Sequence, residues 1–417
     1  MHDFLYKKNE LYCEKVPISV IAKETGTPLY IYSRHTLENH FKVFDSAFSS
    51  IPHLTCFSVK ANFNLAVLKI IANLGGGADV VSGGELYRAL SVDISPKRIV
   101  YSGVGKKESE IEYALEAEIL MFNVESSQEL SLINRVAGRL KKKAGIALRV
   151  NPDIDPRTHP YIATGLRENK FGINFTQALK EYVKAQRLTN IEIIGIDCHI
   201  GSQIVEVSPF LEALKRIRKL MAKLKKMRIN IHYLDLGGGL GITYDKEEPP
   251  HPRDYAKTLI DELRGLKVTL ILEPGRVIAG NAGILVTKVL YTKRSAKKNF
   301  VIVDAGMNDL IRPSLYGSYQ KIQPVIKEKR PKIVADVVGP ICESADFLAR
   351  NREIQKVKIE ELIAIMGAGA YGFSMSSNYN SRPRIAEVLV DRDRYFLIRE
   401  RECYDDLVQG ERIPKDL

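Results

Sequence analysis

Tryptophan is absent from this 417-residue chain, and its five cysteines (Cys13, Cys56, Cys198, Cys342 and Cys403) are odd in number, scattered, and never spaced Cys-x-x-Cys. That pattern gives no zinc ribbon, no dithiol redox centre and no disulfide framework, so a reducing compartment fits and no metal site is expected. No apolar run approaches the roughly 20 residues that span a bilayer. The segment Met1–Lys15 has neither an apolar core nor a small-residue cleavage site, so a cytoplasmic location without membrane attachment is expected. His-Glu-x-x-His, Gly-x-x-x-x-Gly-Lys-[Ser/Thr] and Gly-x-Ser-x-Gly are also missing. Zinc proteases, P-loop nucleotidases and α/β-hydrolases therefore lack their central groups.

Charge of one sign is in excess, at +12. A basic surface attracts acidic small molecules as readily as nucleic acid. The densest basic stretch, Lys215–Arg228, carries Ile217, Leu220, Met221, Leu224 and Met227 at helical spacing. That reads as an amphipathic helix with a solvated outer face, and no nucleic-acid partner is expected.

What the chain does have is alternation. Between Leu54 and Glu273 lie eight short apolar runs: Leu54–Val59, Ala78–Val81, Arg98–Tyr101, Ile119–Phe122, Ile146–Val150, Ile191–His199, Ile231–Leu236 and Val268–Leu272. Near-continuous Val, Ile and Leu suits strands buried on both faces. Helical patterns such as Asn64–Leu74, Glu108–Glu116, Ser126–Leu140 and Tyr255–Leu263 separate them. Eight strand-helix units predict a closed (β/α)8 barrel of TIM type, an α/β fold. After Gly280 the texture changes to strand-like runs at Gly283–Tyr291, Phe300–Val303, Ile333–Val338, Leu362–Met366, Ile385–Val390 and Tyr395–Arg399. We expect a barrel over residues 27–281 and a mostly β domain formed by residues 1–26 and 282–417.

In such barrels the site gathers where the strands end at their C-terminal side. Lys60 follows the first run, Asp79 and Ser82 close the second, Arg149 and Asn151 the fifth, and His199 the sixth; Gly237–Gly241 follow the seventh, and Glu273 and Arg276 the eighth. A strand-end lysine is usually only a solvated cap, and a lone histidine is usually structural; their convergence is what matters. Partial desolvation at the rim lowers a lysine pKa, and a neutral amine can condense with an aldehyde. A glycine run after strand seven lets backbone N–H groups approach a phosphate. A buried Glu273 could accept a charge-assisted hydrogen bond from a pyridinium nitrogen. The segment Gly367-Ala-Gly-Ala-Tyr-Gly372 fits the dinucleotide fingerprint, but Phe373–Pro383 opens no helix, which argues against a Rossmann site.

Taken in order, several motifs run nearly end to end through the chain. They are Gly26-Thr27-Pro28-Leu29-Tyr30, Lys60-Ala61-Asn62, Thr164-Gly165 with Lys170-Phe171-Gly172, His199-Ile-Gly-Ser-Gln, the triple glycine, Glu273-Pro-Gly-Arg276, Arg312-Pro-Ser-Leu-Tyr316, Gly339-Pro-Ile-Cys342-Glu343-Ser-Ala-Asp346 and Gly369-Ala-Tyr371-Gly372. This set resembles the diaminopimelate decarboxylases, alanine-racemase-like enzymes of pyridoxal 5′-phosphate. The resemblance implies decarboxylation of meso-2,6-diaminopimelate to L-lysine and CO2, the last step of lysine biosynthesis. It implies that Lys60 carries the cofactor, with Asp79, His199, Ser202, Gly239, Glu273, Gly275, Arg276 and Tyr371 around it. Arg276, Arg312, Tyr316, Glu343 and Tyr371 would hold substrate, and Cys342 would give the α-carbon its proton. The family places the Cys342–Glu343 segment across a homodimer interface, where it completes the partner's site. One departure is Phe57-Ser58, where many relatives have Tyr-Ala; the exchange of hydroxyls is expected to alter packing more than chemistry.

Overall fold

A computed structural model of the chain describes residues 2–155, 158, 164–165 and 170–417. Two compact units result, one of Glu38–Ile278 and one of the first 37 residues with Ala279–Leu417.

The first unit is a closed barrel. Its strands are β1 (His53–Ser58), β2 (Gly77–Val80), β3 (Ile99–Tyr101), β4 (Met121–Val124), β5 (Ala144–Asn151), β6 (Ile191–Asp197), β7 (Tyr233–Asp235) and β8 (Thr269–Leu272). Each pairs in parallel with the next, and β8 pairs in parallel with β1, which leaves no edge among the eight. All eight expected runs fall on these strands, with ends shifted by a few residues. Leu54, Cys56, Val100, Met121, Ala147 and Ile271 form an apolar core cluster within the barrel.

The helices between the strands start where the sequence supplies caps. Asn64 accepts from Ala66 N at 3.0 Å, Ser82 from Glu85 N at 3.2 Å and Ser126 from Glu129 N at 3.2 Å, satisfying donors that a helix N-terminus leaves open. The basic stretch is the second half of helix Ser208–Lys226, which buries Phe210, Leu214, Ile217, Leu220 and Leu224 on one face. Lys223, Lys225 and Lys226 sit in its last turn, where the helix dipole favours cations. The helix ends one residue before Met227, which caps it and is exposed instead of joining the apolar face.

In the second unit, strand Leu29–Ser33 is buried throughout and lies between Gly283–Arg294, antiparallel, and Ala386–Asp391, parallel. The sequence reading set these residues inside the barrel boundary, but their Leu-Tyr-Ile-Tyr run completes the β sheet. Leu29 and Ile31 pack there with Ile284, Val286, Val388 and Val390, and with Ile18 and Ile21 from helix Ile18–Thr25. Helix Arg34–Ser46 then leads to β1. The strand Phe347–Gln355, paired with Lys332–Val338, carries Arg350, Asn351, Arg352 and Glu353 at its middle, so hydropathy gives it no signal. The glycine decoy follows strand Leu362–Ile365 and leads into a three-residue 3-10 turn, Phe373–Met375, with no helix behind it.

Candidate active site

At the C-terminal end of the barrel the polar residues turn inward and bury. Lys60 lies in the 3-10 turn Val59–Ala61 directly after β1, and its Nζ meets Asp79 Oδ2 at 2.5 Å. Its side chain is 38% exposed and that of Asp79 is 0% exposed, so the amine stands at a rim against a carboxylate held from inside. The amine is thus ion-paired at the rim and not simply desolvated there. Asp79 Oδ1 is buried and has no hydrogen-bond partner among the described residues. An orphaned acceptor of this kind is expensive unless something else comes to it.

Ser58, at the end of β1, points its hydroxyl at Asp79 Oδ2 (3.0 Å) and at the Glu273 carbonyl (2.9 Å). The hydroxyl at Ser58 thus does more than fill space: it touches the carboxylate that pairs with Lys60.

Glu273 follows β8 and is buried. Burial, with Asp235 and Asp79 nearby, pushes its carboxyl well above the usual range, against the opposing pull of Lys60. Its Oε1 receives Ser102 Oγ at 3.3 Å and Asn123 Nδ2 at 3.4 Å. Asn123 Nδ2 also donates to Asp235 Oδ2 at 3.0 Å, and Asp235 Oδ1 accepts from Gly237 N at 2.9 Å. Burial first, and Asp197 second, push Asp235 up to about 7. Two acids of low charge thus lie side by side beneath the rim, prepared to ionise against an incoming cation.

The glycine run needs its glycines. A Cβ at Gly238 would lie 2.2 Å from the Glu273 carbonyl oxygen, and one at Gly239, where φ is +112°, would lie 2.4 Å from the Gly201 carbonyl oxygen. Gly275 is similarly confined, by Ala61 Cβ at 2.9 Å and Ser58 Cβ at 3.0 Å. Beside this loop Arg276 donates to Ser202 Oγ (3.1 Å) and to Tyr244 OH (2.7 Å), so a guanidinium, a hydroxyl and a backbone cradle converge. His199 Nδ1 accepts from Gly238 N at 3.3 Å, which places the ring proton on Nε2. Burial, Arg149 and Lys60 hold this imidazole well below its usual pKa, so it is neutral.

A second ring of polar groups supports the first. Arg149 donates to Glu125 Oε1 (2.7 Å), lies 3.9 Å from Asp197 and stacks on Phe171, while Glu125 Oε2 accepts from Gly172 N at 2.7 Å. Asn123, Ser102, Asp235, Glu125 and Tyr244 went unread in the sequence, although a polar residue inside an apolar run, as in Met-Phe-Asn123-Val and Tyr-Leu-Asp235-Leu, is a usable signal.

In the β-rich unit, Arg312 is buried at the first position of helix Arg312–Tyr316, and Tyr316 ends that helix. Ser314 Oγ donates to the Ala345 carbonyl at 2.6 Å, tying this helix to the Gly339–Asp346 segment. Asp346 pins that segment by accepting from Ile341 N and Met307 N, both at 2.7 Å. Cys342 and Glu343 are exposed at its tip, and Glu343 Oε2 accepts from Tyr379 OH at 2.8 Å. Tyr371 has a left-handed backbone (φ 55°) in the glycine segment. Among the described residues no cluster of His, Cys, Asp or Glu is arranged for a metal ion, and no helix is long and apolar enough to cross a membrane.

A barrel-rim lysine on a buried carboxylate, a glycine cradle with an arginine and a serine, and a buried carboxylic acid fit an aldehyde, a phosphate and a ring nitrogen respectively. Residues 34–280 match the pyridoxal-binding domain of the pyridoxal-dependent decarboxylases, and the chain is one of that class. Its cofactor is pyridoxal 5′-phosphate. Over 405 residues it is 54% identical to the diaminopimelate decarboxylase of Aquifex aeolicus, covering 97% of this chain and 96% of that one. It is 46% identical to the enzyme of that name from Archaeoglobus fulgidus, over 96% and 97% of the two chains. Among solved structures, diaminopimelate decarboxylase from Helicobacter pylori with L-lysine matches at 42% identity and a TM-score of 0.91, over 94% of this chain and 98% of that one. That of M. jannaschii with L-lysine matches at 38% identity and 0.95, over 100% of each. The chain belongs to the diaminopimelate decarboxylase family.

Proposed function

We propose that this protein decarboxylates meso-2,6-diaminopimelate to L-lysine and CO2. The observation that carries the reading is near-complete coverage by relatives of that name at 46% to 54% identity, together with a rim that fits the cofactor. When bound, pyridoxal phosphate supplies an aldehyde for the substrate amine and a conjugated ring that takes up the electron pair left when CO2 departs.

The chain's residues do the rest. Lys60 would anchor the cofactor, and Asp79 keeps its amine in place. Glu273 would face the ring nitrogen, where its ionised carboxylate would hold a proton on that atom. Gly239, Gly275, Ser202 and Arg276 would receive the phosphate, and neutral His199 would cover a ring face, as its flat ring and single Nε2 proton allow. Arg312, with Arg276 and Tyr316, takes the distal carboxylate through the planar fork of a guanidinium, and Glu343 takes the distal amine. Tyr371 would contact both cofactor and substrate. Cys342 gives its thiol proton to the α-carbon after the carbon-carbon bond breaks.

Because Cys342 and Glu343 are exposed in the single chain, we assign them to the partner's site in a homodimer. Mixing inactive Lys60→Ala and Cys342→Ala proteins should then restore up to about a quarter of the activity, since statistical heterodimers carry one intact site; no recovery after verified subunit exchange would place both residues in one chain. The five free cysteines suit a reducing cytoplasm, which fractionation of the source cells would check.

The activity is tested by supplying purified holoenzyme with meso-diaminopimelate, ornithine or arginine while following CO2 and identifying the amine. Lysine from diaminopimelate alone establishes the reading. CO2 from ornithine or arginine instead would overturn the specificity.

A further inference from the structure

Arg312 does not stand by its own packing alone. Gln320, 0% exposed, lies eight residues on in the chain, just before strand Ile322–Pro324. With its amide turned so that both ends are satisfied, its Oε1 accepts from Arg312 Nη1 at 2.7 Å and its Nε2 donates to the Met366 carbonyl at 2.5 Å. Met366 N returns a bond to the Lys321 carbonyl at 2.8 Å, so the Gln320 side chain is fastened to a strand end that is itself fastened back. From the other side Arg352 Nη1 donates to the Gln320 carbonyl at 2.6 Å, and its guanidinium lies 3.8 Å from the centre of the Tyr319 ring. Four polar contacts and one cation-π contact thus fix a neutral acceptor against one arm of Arg312.

We propose that Gln320 is a positioning residue for substrate specificity: by occupying Arg312 Nη1 with a neutral acceptor, it fixes the plane of the guanidinium that receives the distal carboxylate. The inference rests on the assignment of Arg312 to that carboxylate. A neutral amide suits this task better than a second carboxylate, which would spend the arginine's charge and repel the substrate. A planar fork recognises a carboxylate through two parallel N–H groups, so its orientation matters as much as its charge. Arg352 acts one step further out, holding the backbone of Gln320 through a stacked guanidinium.

The test is steady-state kinetics on holoenzyme with meso-diaminopimelate, together with the inhibition constant of L-lysine, which retains the distal carboxylate. Gln320→Met keeps the length and removes the acceptor. The expected result is a rise of roughly tenfold in KM, the equivalent of about 1.4 kcal/mol, with kcat within about twofold. The lysine inhibition constant rises by the same factor, and cofactor absorbance is unchanged. In an Arg312→Ala background the same substitution adds nothing, because its effect runs through the arginine. An unchanged KM in Gln320→Met, or an equal rise in the Arg312→Ala background, overturns the proposal. If Arg312→Ala itself leaves KM and the lysine constant unmoved, the distal-carboxylate reading fails first and the proposal with it. Should Gln320→Met not fold, Arg352→Lys, which keeps the charge but loses the stacked fork, must raise KM in the same direction by roughly two- to threefold. No rise there would refute the arrangement.

Discussion

Asp235 offers a measurable consequence of burying acids under the rim. Its carboxyl is 0% exposed, holds Gly237 N and Asn123 Nδ2, and is pushed from 3.8 up to about 7 by burial and by Asp197. A raised carboxyl pKa means that the fold favours the protonated form. The stabilisation is complete below pH 4, where the unfolded chain is also protonated, and is lost as pH rises through about 7. A shift of about three units corresponds to on the order of 4 kcal/mol, of which on the order of 3 kcal/mol falls between pH 5 and pH 8. Asp235→Asn is neutral throughout. It keeps an acceptor for Gly237 N, and Asn123 Oδ1, which is buried without a partner among the described residues, can turn to meet the new amide. The substitution should cost about 1 kcal/mol at pH 5 and stabilise at pH 8. Urea unfolding of cofactor-free wild-type and Asp235→Asn proteins at both pH values measures the difference in their pH dependence. Equal pH dependence in the two proteins would show that Asp235 is ionised in the fold and would refute the reasoning.

Three other outcomes follow from the same structure. Lys106 is buried with its Nζ on Glu129 Oε1 (2.7 Å) and on the Gly103 and Asn123 carbonyls (2.8 Å each); Lys106→Met strands a buried carboxylate and should cost about 3–5 kcal/mol, and a thermal-unfolding loss of less than about 1 kcal/mol would contradict that. Gly239→Ala puts a Cβ against the Gly201 carbonyl in a left-handed backbone and should weaken pyridoxal phosphate binding at least about tenfold, roughly 1–3 kcal/mol of strain, by equilibrium dialysis; wild-type affinity would remove the cradle from the phosphate. Cys342→Ala should slow turnover by about 100-fold or more while the cofactor stays bound, as expected when a general acid is lost; full activity would return Cys342 to a passive role.

The barrel was legible because its strands are buried on both faces and so are written in unbroken apolar runs, all eight of which hold. Strands with one wet face or a polar middle were harder. Phe347–Gln355 reads as charged chain because its middle, Arg350 to Glu353, is polar, and the backbone pairing with Lys332–Val338 leaves no mark in hydropathy. Leu29–Ser33 reads as a barrel approach because nothing local says which sheet a buried apolar strand will join. In the site, residues next to strand ends were visible, since polarity breaks an apolar run there. Asn123 and Asp235 were not singled out, because their meaning lies in each other, 112 residues apart, and for Asn123 in Glu273, 150 residues away, separations that periodicity does not register; Gln320 was missed because its partner Arg312 lies across an aperiodic loop.

That hidden set explains why the site is more than a list of motifs. Beside Glu129, which Lys106 holds, five carboxyls are buried among the described residues of the barrel unit: Asp79, Glu125, Asp197, Asp235 and Glu273. Asp79 has Lys60, while Glu125 and Asp197 share Arg149. Asp235 and Glu273 bond to each other, and the other hydrogen bonds they receive come from neutral groups, Asn123, Ser102 and a backbone N–H. Such a pair is tolerable only while it holds its protons or when a cation arrives. In the proposed site a protonated ring nitrogen beside Glu273 would be that cation, so cofactor binding and the ionisation of Glu273 would reinforce each other, and whatever stabilises one would be felt in the other. The strength of the enzyme's grip on its cofactor should therefore depend on Asp235, which never needs to touch it.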